Sequence, residues 1–530
     1  MLGRQRWPFP SLPAHRVAVT PSHVPGPVAL GDLLGLPGVD ARLAGAPAEG
    51  VRIIDVTHDS RQAGPGVLFA CRPGGRADGH DFAPTAVAAG TPALLVERVI
   101  DLDVPQVIVP SVARVLGPIA AHVHADPSGH LKLLGITGTN GKTTTGYLLE
   151  SVLAAGGHVT GLIGTVETLI AGKATEGIRT TPEASDLQRL LRRMVDAGVT
   201  AAAMEVSSHG LALARVSGTR FTAAAFTNLS RDHLDFHPDL EAYEAAKASL
   251  FTPGFADLGV VNVDDPTGRK ISRQAAAAGL RVVRVSGRGH ADAEVHARDI
   301  TLGPTRSAFT ALVRGRPFAV TIHLPGSFNV DNALLALATA EAAGIDPEAA
   351  VDGLADVTGV PGRMERIDEG QPFTVLVDYA HTPDSVASIL QAARPLTRGR
   401  IIIVIGCGGE RDRGKRRLMG RQAVALAELA IFTNDNPRGE DPAAILEAVV
   451  SGARWVAGAR WTVEEDRRAA IGLALDQAEP GDVVVIAGKG HETYQEVGDQ
   501  RLPFDDRAVA RALLTGTNPV AGVTPAGGAR

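Results

Sequence analysis

Short β-branched runs alternate with amphipathic stretches from about residue 28 to residue 516, the rhythm of α/β domains with largely parallel sheets. In the first block "VRIIDVTHDS", "TPALLVE" and "PQVIVPS" read as strands. A second block opens on the strand "LKLLGIT", continues through "TAAAMEVSS", "TAAAFTNLS" and "GVVNVDD", and closes on a helix in "SFNVDNALLALATAEAAG". Gly359, Pro361 and Gly362 then interrupt the pattern and mark a boundary. The last block holds "FTVLVDYAHTPDS", "RIIIVIGCGG", "LAIFTNDNPRGEDP" and "GDVVVIAGKGHE". Each apolar run ends in polar and glycine residues, and open α/β sheets bind ligands at such carboxyl ends of strands. The expected fold class is α/β in three domains, 28–131, 132–359 and 360–516. The flanking segments 1–27 and 517–530 lack periodicity and are expected to be disordered tails.

Length agrees with several domains, because 530 residues exceed what one ordinary core organises. Apolar content of 45% and charged content of 21% describe a soluble globular chain. A net charge of −6 without a long basic run argues against a nucleic-acid binder. No apolar run approaches the roughly 18 residues that span a membrane, and "MLGRQRWPFPSLP" lacks the apolar core of a signal peptide. Cys71 and Cys407 form no CxxC pair and fit a reducing cytoplasm. Lysine usage is more informative. Only seven lysines (132, 142, 173, 247, 270, 415, 489) stand among 52 basic residues, so each marks either chance survival or a need for a compact amine.

Lys142 lies in "GITGTNGKTTTG", where a strand passes through glycines into a helix with Leu148, Leu149, Val152 and Leu153 on one face. The common phosphate loop has a glycine five residues before its Gly-Lys pair; here Ile136 stands there and the early glycine is Gly138. Gly138 and Gly141 still allow backbone N–H groups to converge on phosphate oxygens, Lys142 can reach the outer phosphates, and Thr143 can bind Mg²⁺. A nucleoside triphosphate is therefore expected here rather than an ordinary βα turn. Glu205, just past a strand, and His233, with Asp232 and Asp235 nearby, could complete an oxygen-rich Mg²⁺ site; a lone histidine is more often structural, but this one shares the strand-end setting of the phosphate loop. Lys247 falls on the helical stripe Leu240, Tyr243, Lys247, Leu250. It either snorkels to solvent or is a buried, neutral and chemically modified amine.

The motifs "GTNGKTTT", "EVSSHG", "TNLSRDHLD", "YEAAK", "NVDNALLA", "PGRME", "DYAHTPDS", "GCGGERDRGKR", "DNPR" and "AGKGHE" occur together and in order. In this the chain resembles the Mur ligases of peptidoglycan synthesis over about residues 50–510, and among them the branch that adds the third amino acid. The family loop is GT-x-GKT, so Ile136 is no defect. The resemblance implies a uridine-binding first domain, a P-loop ATPase-like central domain with a parallel sheet, and a Rossmann-like last domain. It implies ATP contacts at Gly138, Thr139, Asn140, Gly141, Lys142, Thr143 and Thr144, with Phe328 and Asn332 at adenine and Arg363, Asp378 and His381 reaching across from the last domain. Thr143 and Glu205 would serve one Mg²⁺, and His233 with a carbamylated Lys247 a second. Ser60 resembles a uridine contact, and Thr180, Thr181, Ser207 and Arg215 resemble contacts to the muramoyl dipeptide.

The implied reaction joins meso-diaminopimelate to UDP-N-acetylmuramoyl-L-alanyl-D-glutamate through an acyl phosphate, in the cytoplasm and as a monomer. Arg438 of DNPR and Arg411 are suited to the second carboxylate of such an amino acid. Asp435, Asn436, Pro437, Gly488 and Glu492 match the remaining contacts. A bare ion pair of Arg438 with Glu440 or Asp441 is the alternative. Leu213, where some relatives carry Gln, and "GGR" at 74–76 depart from the family pattern.

Overall fold

The structure, a computed structural model, describes residues 26–75, 77–177 and 179–517. Apart from residues 26, 27 and 517, the expected tails at 1–27 and 517–530 lie outside the described residues, as does Arg76 of the "GGR" stretch. Three main sheets follow one another along the chain.

The first sheet has five strands in the order Arg42–Gly45, Pro105–Ile108, Ala93–Val96, Val67–Ala70 and Asp55–Thr57, with only the first antiparallel. The run "VRIIDVTHDS" does not form one strand. It breaks at Ile54, so that Arg52–Ile53 pairs with Val28–Ala29 while Asp55–Thr57 joins the main sheet.

The central sheet has eleven strands, and its parallel heart places Lys132–Thr137 between Ala201–Glu205 and Ala223–Phe226. Leu134 and Ile136 of that strand face the helices Lys142–Ala155 and Ser327–Ala342, whereas Leu133 packs with Leu187, Leu191 and Met194 on the other face. Alternate residues thus enter separate cores, which is why the run is apolar throughout. The connections leave Lys132–Thr137 in opposite directions, so a crevice opens at its carboxyl end.

Both edges of this sheet depart from the parallel pattern. Glu167–Ile170 pairs with Lys173–Glu176, and Ser307–Val313 with Arg316–Ile322, as antiparallel hairpins. Their two-residue turns, Ala171-Gly172 and Arg314-Gly315, have φ of 48° and 78°, and 50° and 80°. Positive φ at both positions matches the twist of a hairpin and stops the parallel winding there.

The last sheet runs Glu365–Ile367, Thr374–Asp378, Val483–Ala487, Ile401–Ile405, Leu429–Phe432, Trp461–Val463, parallel except for the first. Ile401, Ile403 and Ile405 enter one core and Ile402 and Val404 the other. Behind it Arg467, in the first turn of Arg467–Asp476, forms a bidentate pair with Asp506 at 2.8 and 2.7 Å, both side chains 0% exposed. Arg467 also donates to the carbonyls of Ala487 at 2.9 Å and Asn434 at 3.4 Å. These carbonyls are at the ends of the strands that carry Gly488 and Asp435. Removing one partner of a buried pair strands the other charge. We expect Arg467→Met to weaken the last domain by roughly 3–5 kcal/mol in urea unfolding, and the double change Arg467→Met with Asp506→Leu to recover most of that loss.

Candidate active site

The strand Lys132–Thr137 delivers the chain into a loop that only glycine fits. A Cβ on Gly138 would lie 1.8 Å from Thr227 Oγ1, and one on Gly141 (φ 89°) 2.4 Å from Asn332 Oδ1. Thr139 N donates to Asn228 O at 2.8 Å and Asn140 N to Asn228 Oδ1 at 3.0 Å, which ties the loop to the neighbouring strand end. The helix Lys142–Ala155 then begins without a side-chain cap, leaving its first-turn N–H groups directed at an anion site.

Two lysines meet at this loop. Lys142 Nζ donates to the carbonyls of Gly138 and Thr139, both at 2.9 Å, and Lys247 Nζ donates to the same Gly138 oxygen at 2.7 Å. Lys247 is 1% exposed, so the snorkelling alternative is overturned. Leu240, expected on the same inward stripe, is instead 46% exposed, because the inward face of Leu240–Ala248 begins at Tyr243. Burial first, and the neighbouring Lys142 charge second, hold the Lys247 amine well below the usual lysine range. Burial also lowers Lys142, against the attraction of Glu205 and Asp232. Tyr243 lies under Lys247, its ring centroid 4.5 Å from Nζ, and His237 Nε2 beside that ring is buried without a hydrogen-bond partner.

Glu205, at the end of Ala201–Glu205, is nearly inaccessible and accepts from Thr165 N and Thr165 Oγ1, each at 2.9 Å. His233 takes a left-handed backbone (φ 57°) that turns its ring edge-on to His209, centroids 4.7 Å apart, and burial pushes its pKa well down. A neutral imidazole is the form that binds metal. Among the described residues no group of three His, Cys, Asp or Glu could hold a metal ion. Thr143 and Glu205, both on the cavity wall, are oxygen donors of the kind that suits Mg²⁺, which keeps waters and takes phosphate oxygens as partners. The orphaned His237 Nε2 gives the Lys247 pocket a spare group for added oxygens.

The last sheet meets this crevice directly. Arg363 Nη2 donates to Thr143 Oγ1 at 3.0 Å, its guanidinium 4.5 Å over the Tyr379 ring. Asp232 accepts Lys415 Nζ at 2.9 Å and faces His381 Nε2 at 3.3 Å, while Arg231 pairs with Asp412 at 3.0 Å. Asp378 accepts from the backbone N–H groups of Met364 and Ala380, both at 2.7 Å, and burial raises its pKa. Lys415 and Lys489, two of the seven lysines, belong to the site although no role was read for them.

The part of the crevice that belongs to the last sheet is assembled from strand ends. Glu492 Oε2 accepts from Lys489 Nζ at 2.8 Å and Asn436 Nδ2 at 2.9 Å, and a Cβ on Gly488 would come within 2.6 Å of Asp435 Oδ2. Arg438 does not pair with Glu440 or Asp441. Its Nε donates to Glu496 Oε2 at 2.8 Å and its Nη1 to Gly409 O at 2.7 Å, while Glu440 is taken by Arg416. Near the other end, Thr181 Oγ1 donates to Ser207 Oγ at 3.1 Å, and Arg215 pairs with Glu183, which also binds Arg72 of the first sheet.

A cavity of about 1310 Å³ joins these parts. Its walls include Thr139–Thr144, Thr180, Thr181, Glu205, Ser207, Arg215 and His233. They continue through Phe328, Asn332, Arg363, Asp378 and His381 to Arg411, Asp435, Asn436, Arg438, Gly488 and Glu492. Gly138 and Lys247 lie immediately behind that wall, and Pro437 stands behind Arg438 with its carbonyl against Gly409. Ser60 is not brought to the cavity; it begins the turn Ser60–Gln62 in the first block. Arg179, Tyr379, His491 and Glu496 line the cavity and were not read from the sequence. Tyr379 and His491 stand inside the motifs "DYAHTPDS" and "AGKGHE", whereas nothing in the sequence separates Arg179 and Glu496 from ordinary surface residues.

Three family models match the chain, described as Mur ligase family, catalytic domain (52–124), Mur ligase middle domain (136–340) and Mur ligase, glutamate ligase domain (362–490). Proteins of Streptomyces avermitilis and Streptomyces coelicolor named UDP-N-acetylmuramoyl-L-alanyl-D-glutamate–2,6-diaminopimelate ligase are each 45% identical over 96% of this chain and 99% of their own length. A solved structure of that name is 33% identical, covers 93% of this chain and 99% of its own, and has a TM-score of 0.66. Mycobacterium tuberculosis folylpolyglutamate synthase with ADP and AMPPCP shares the fold at 21% identity and TM-score 0.61, covering 77% of this chain and 96% of its own.

Neither cysteine makes any of these polar contacts, although Cys407 lines the cavity: Cys71 and Cys407 are buried, and burial pushes each thiol up to about 12. The thiolate is the reactive form, so we expect a maleimide to leave both unmodified in the folded protein at pH 8 and to label both in denaturant, read by mass spectrometry.

Proposed function

The chain belongs to the Mur ligase family, and we propose that the cavity between its central and last sheets is where that family's ATP-driven amide synthesis takes place. The protein is an ATP-dependent ligase that adds 2,6-diaminopimelate to UDP-N-acetylmuramoyl-L-alanyl-D-glutamate, forming ADP and phosphate, a step of peptidoglycan precursor synthesis. No helix among the described residues is long and apolar enough to cross a membrane. In our reading the reaction takes place in the cytoplasm, one chain being the working unit. Residues 28–131 hold the uridine end of the substrate, with Ser60 as a contact, 132–359 hold ATP, and 360–516 hold the amino acid as its meso isomer.

The observation that carries this reading is the meeting of the Lys142 loop, Glu205 and Arg363 with Arg411, Asp435 and Arg438 around one cavity. A carboxylate is a poor electrophile and does not condense with an amine at neutral pH. The D-glutamyl carboxylate, held by Thr180, Thr181, Ser207 and Arg215, attacks the γ-phosphorus of ATP. ADP leaves, and the carboxyl carbon becomes electrophilic as an acyl phosphate. Gly138–Thr144 cradle the phosphates, Phe328 and Asn332 flank the base, and Lys142 follows the charge onto the outer phosphate. Arg363, which donates to Thr143 Oγ1 here, is within reach of the triphosphate and would bind a phosphate oxygen, with Asp378 and His381 beside it. The amine of diaminopimelate then attacks the acyl carbon and phosphate departs. Asp435, Asn436, Gly488 and Glu492 orient the amino acid while Arg438 and Arg411 bind its distal carboxylate. The cross-sheet contacts at Asp232 and Arg231 keep water from the acyl phosphate.

Thr143 and Glu205 would hold one Mg²⁺, and His233 with carbamylated Lys247 a second; bound there, the ions neutralise crowded phosphate charge. The buried Lys247 amine, held well below the usual lysine range, can in its uncharged form add CO₂, forming an N–C bond, losing one proton and becoming an oxygen-bearing anion. We expect Lys247→Ala to lower kcat by a factor on the order of 10²–10³, with partial recovery in added acetate; unchanged turnover removes the role.

Phosphate release with each component omitted in turn tests the whole reading, and dependence on both the UDP-muramoyl dipeptide and diaminopimelate is expected. In competition, meso-diaminopimelate should exceed L-lysine in kcat/KM, and a preference for L-lysine would overturn the role given to Arg438.

A further inference from the structure

Beyond the strand that ends at Ala487, the chain makes a two-stranded hairpin, Tyr494–Val497 with Gln500–Pro503, that belongs to none of the three main sheets. Its inner strand is clamped onto the segment that carries the amino-acid contacts. Gln495 Nε2 donates to Asp435 O at 2.6 Å and Glu496 N to Asn436 Oδ1 at 3.0 Å. Arg438 N donates to Glu496 O at 3.0 Å, Gly498 N to Arg438 O at 2.9 Å, and Arg438 bridges to Val497. Arg438 itself has φ 51°, a left-handed conformation that a non-glycine residue keeps only when its neighbours enforce it.

The side chain is fixed in the same way. A guanidinium carries five N–H donors in a rigid plane. Glu496 Oε2 takes Nε–H and Gly409 O takes one Nη1–H. The second Nη1–H and both Nη2–H remain, donors that a carboxylate can accept from. Arg438 and Glu496 are both on the cavity wall, each side chain about one-fifth exposed, at 21% and 20%. Arg501 touches the other oxygen of Glu496 at 3.1 Å but is 68% exposed, so solvent screens that contact.

We infer that Glu496 is a positioning residue for amino-acid selection: through the Arg438 Nε–H it sets which edge of the guanidinium faces the substrate. The inference rests on the reading of Arg438 as the carboxylate-binding arginine. Without the Glu496 acceptor, Arg438 can rotate about its last bonds and spread its donors over several orientations. A freely rotating arginine still attracts an anion but no longer presents a fixed fork, so the cost falls on binding of the amino acid rather than on phosphoryl transfer.

The test compares Glu496→Ala and Glu496→Gln with the unaltered protein in the phosphate-release assay, varying diaminopimelate and ATP separately. Glu496→Ala should raise KM for diaminopimelate by roughly tenfold, leave KM for ATP within about twofold, and reduce the preference over L-lysine. Glu496→Gln keeps an oxygen acceptor for Nε–H and should restore most of the loss. An unchanged KM for diaminopimelate in Glu496→Ala overturns the inference, as does a rise in KM for ATP of equal size, which would report general loosening. Failure of Glu496→Gln to restore binding also overturns it, because charge rather than orientation would then be at work. If the unaltered protein releases phosphate without any need for diaminopimelate, the reading of the whole site has failed, a result distinct from these.

Discussion

Two lysine amines share one acceptor, the carbonyl oxygen of Gly138, and the design of the crevice depends on that crowding. Two ammonium groups on one oxygen repel strongly where solvent is scarce. Burial decides which of them gives way: Lys247, enclosed by Tyr243 and the loop, is held well below the usual lysine range. Lys142 feels Glu205 and Asp232 and faces the cavity. The same residue type thus stands twice within one loop's reach, once on the cavity wall and once behind it with its ammonium form the more strongly disfavoured. The arrangement in turn requires the Gly138 carbonyl to stay in place, which the contact with Thr227 and the backbone bonds to Asn228 ensure.

The second layer of the design is the way the last sheet closes on the loop. Residues 231 and 232 are engaged in succession from the opposite side: Arg231 by Asp412, and Asp232 by Lys415 and His381. Asp232 precedes His233, so the closing contacts act one residue from the His233 imidazole on the cavity wall. Each pair is worth little where exposed, but Asp232 and Lys415 are nearly buried, and there a lost partner is costly. Behind the amino-acid wall, Arg467 holds the carbonyls at two strand ends, and the 494–503 hairpin holds the segment in front of them. Rigidity at this wall is therefore built from the back and the front, as discrimination between similar amino acids requires.

Much of the molecule could be read from the order of residues alone. A strand, two glycines and a Lys-Thr pair opening a helix specify a phosphate cradle, because the chain must turn tightly and expose N–H groups there. Glu205 was legible as an acid at a strand end, and Lys247 as a cation where a helix is otherwise apolar. "RIIIVI" declared a strand buried on both faces. The hairpins at the edges of the central sheet are less legible: Ala171-Gly172 and Arg314-Gly315 carry the turn signal, but the short strands beside them continue the rhythm of the parallel ones.

Sequence by itself determined the α/β class, the three blocks, the phosphate loop and the identity of the unusual lysines, since these follow from local periodicity, turn chemistry and residue type. Tertiary structure alone decided the pairings. Arg438 meets Glu496 across 58 residues, Lys415 meets Asp232 across 183, and Arg363 meets Thr143 across 220. Nothing in the spacing of such residues encodes their meeting. It results from separate sheets presenting their carboxyl ends to one cavity, and only packing fixes which charge stands opposite which.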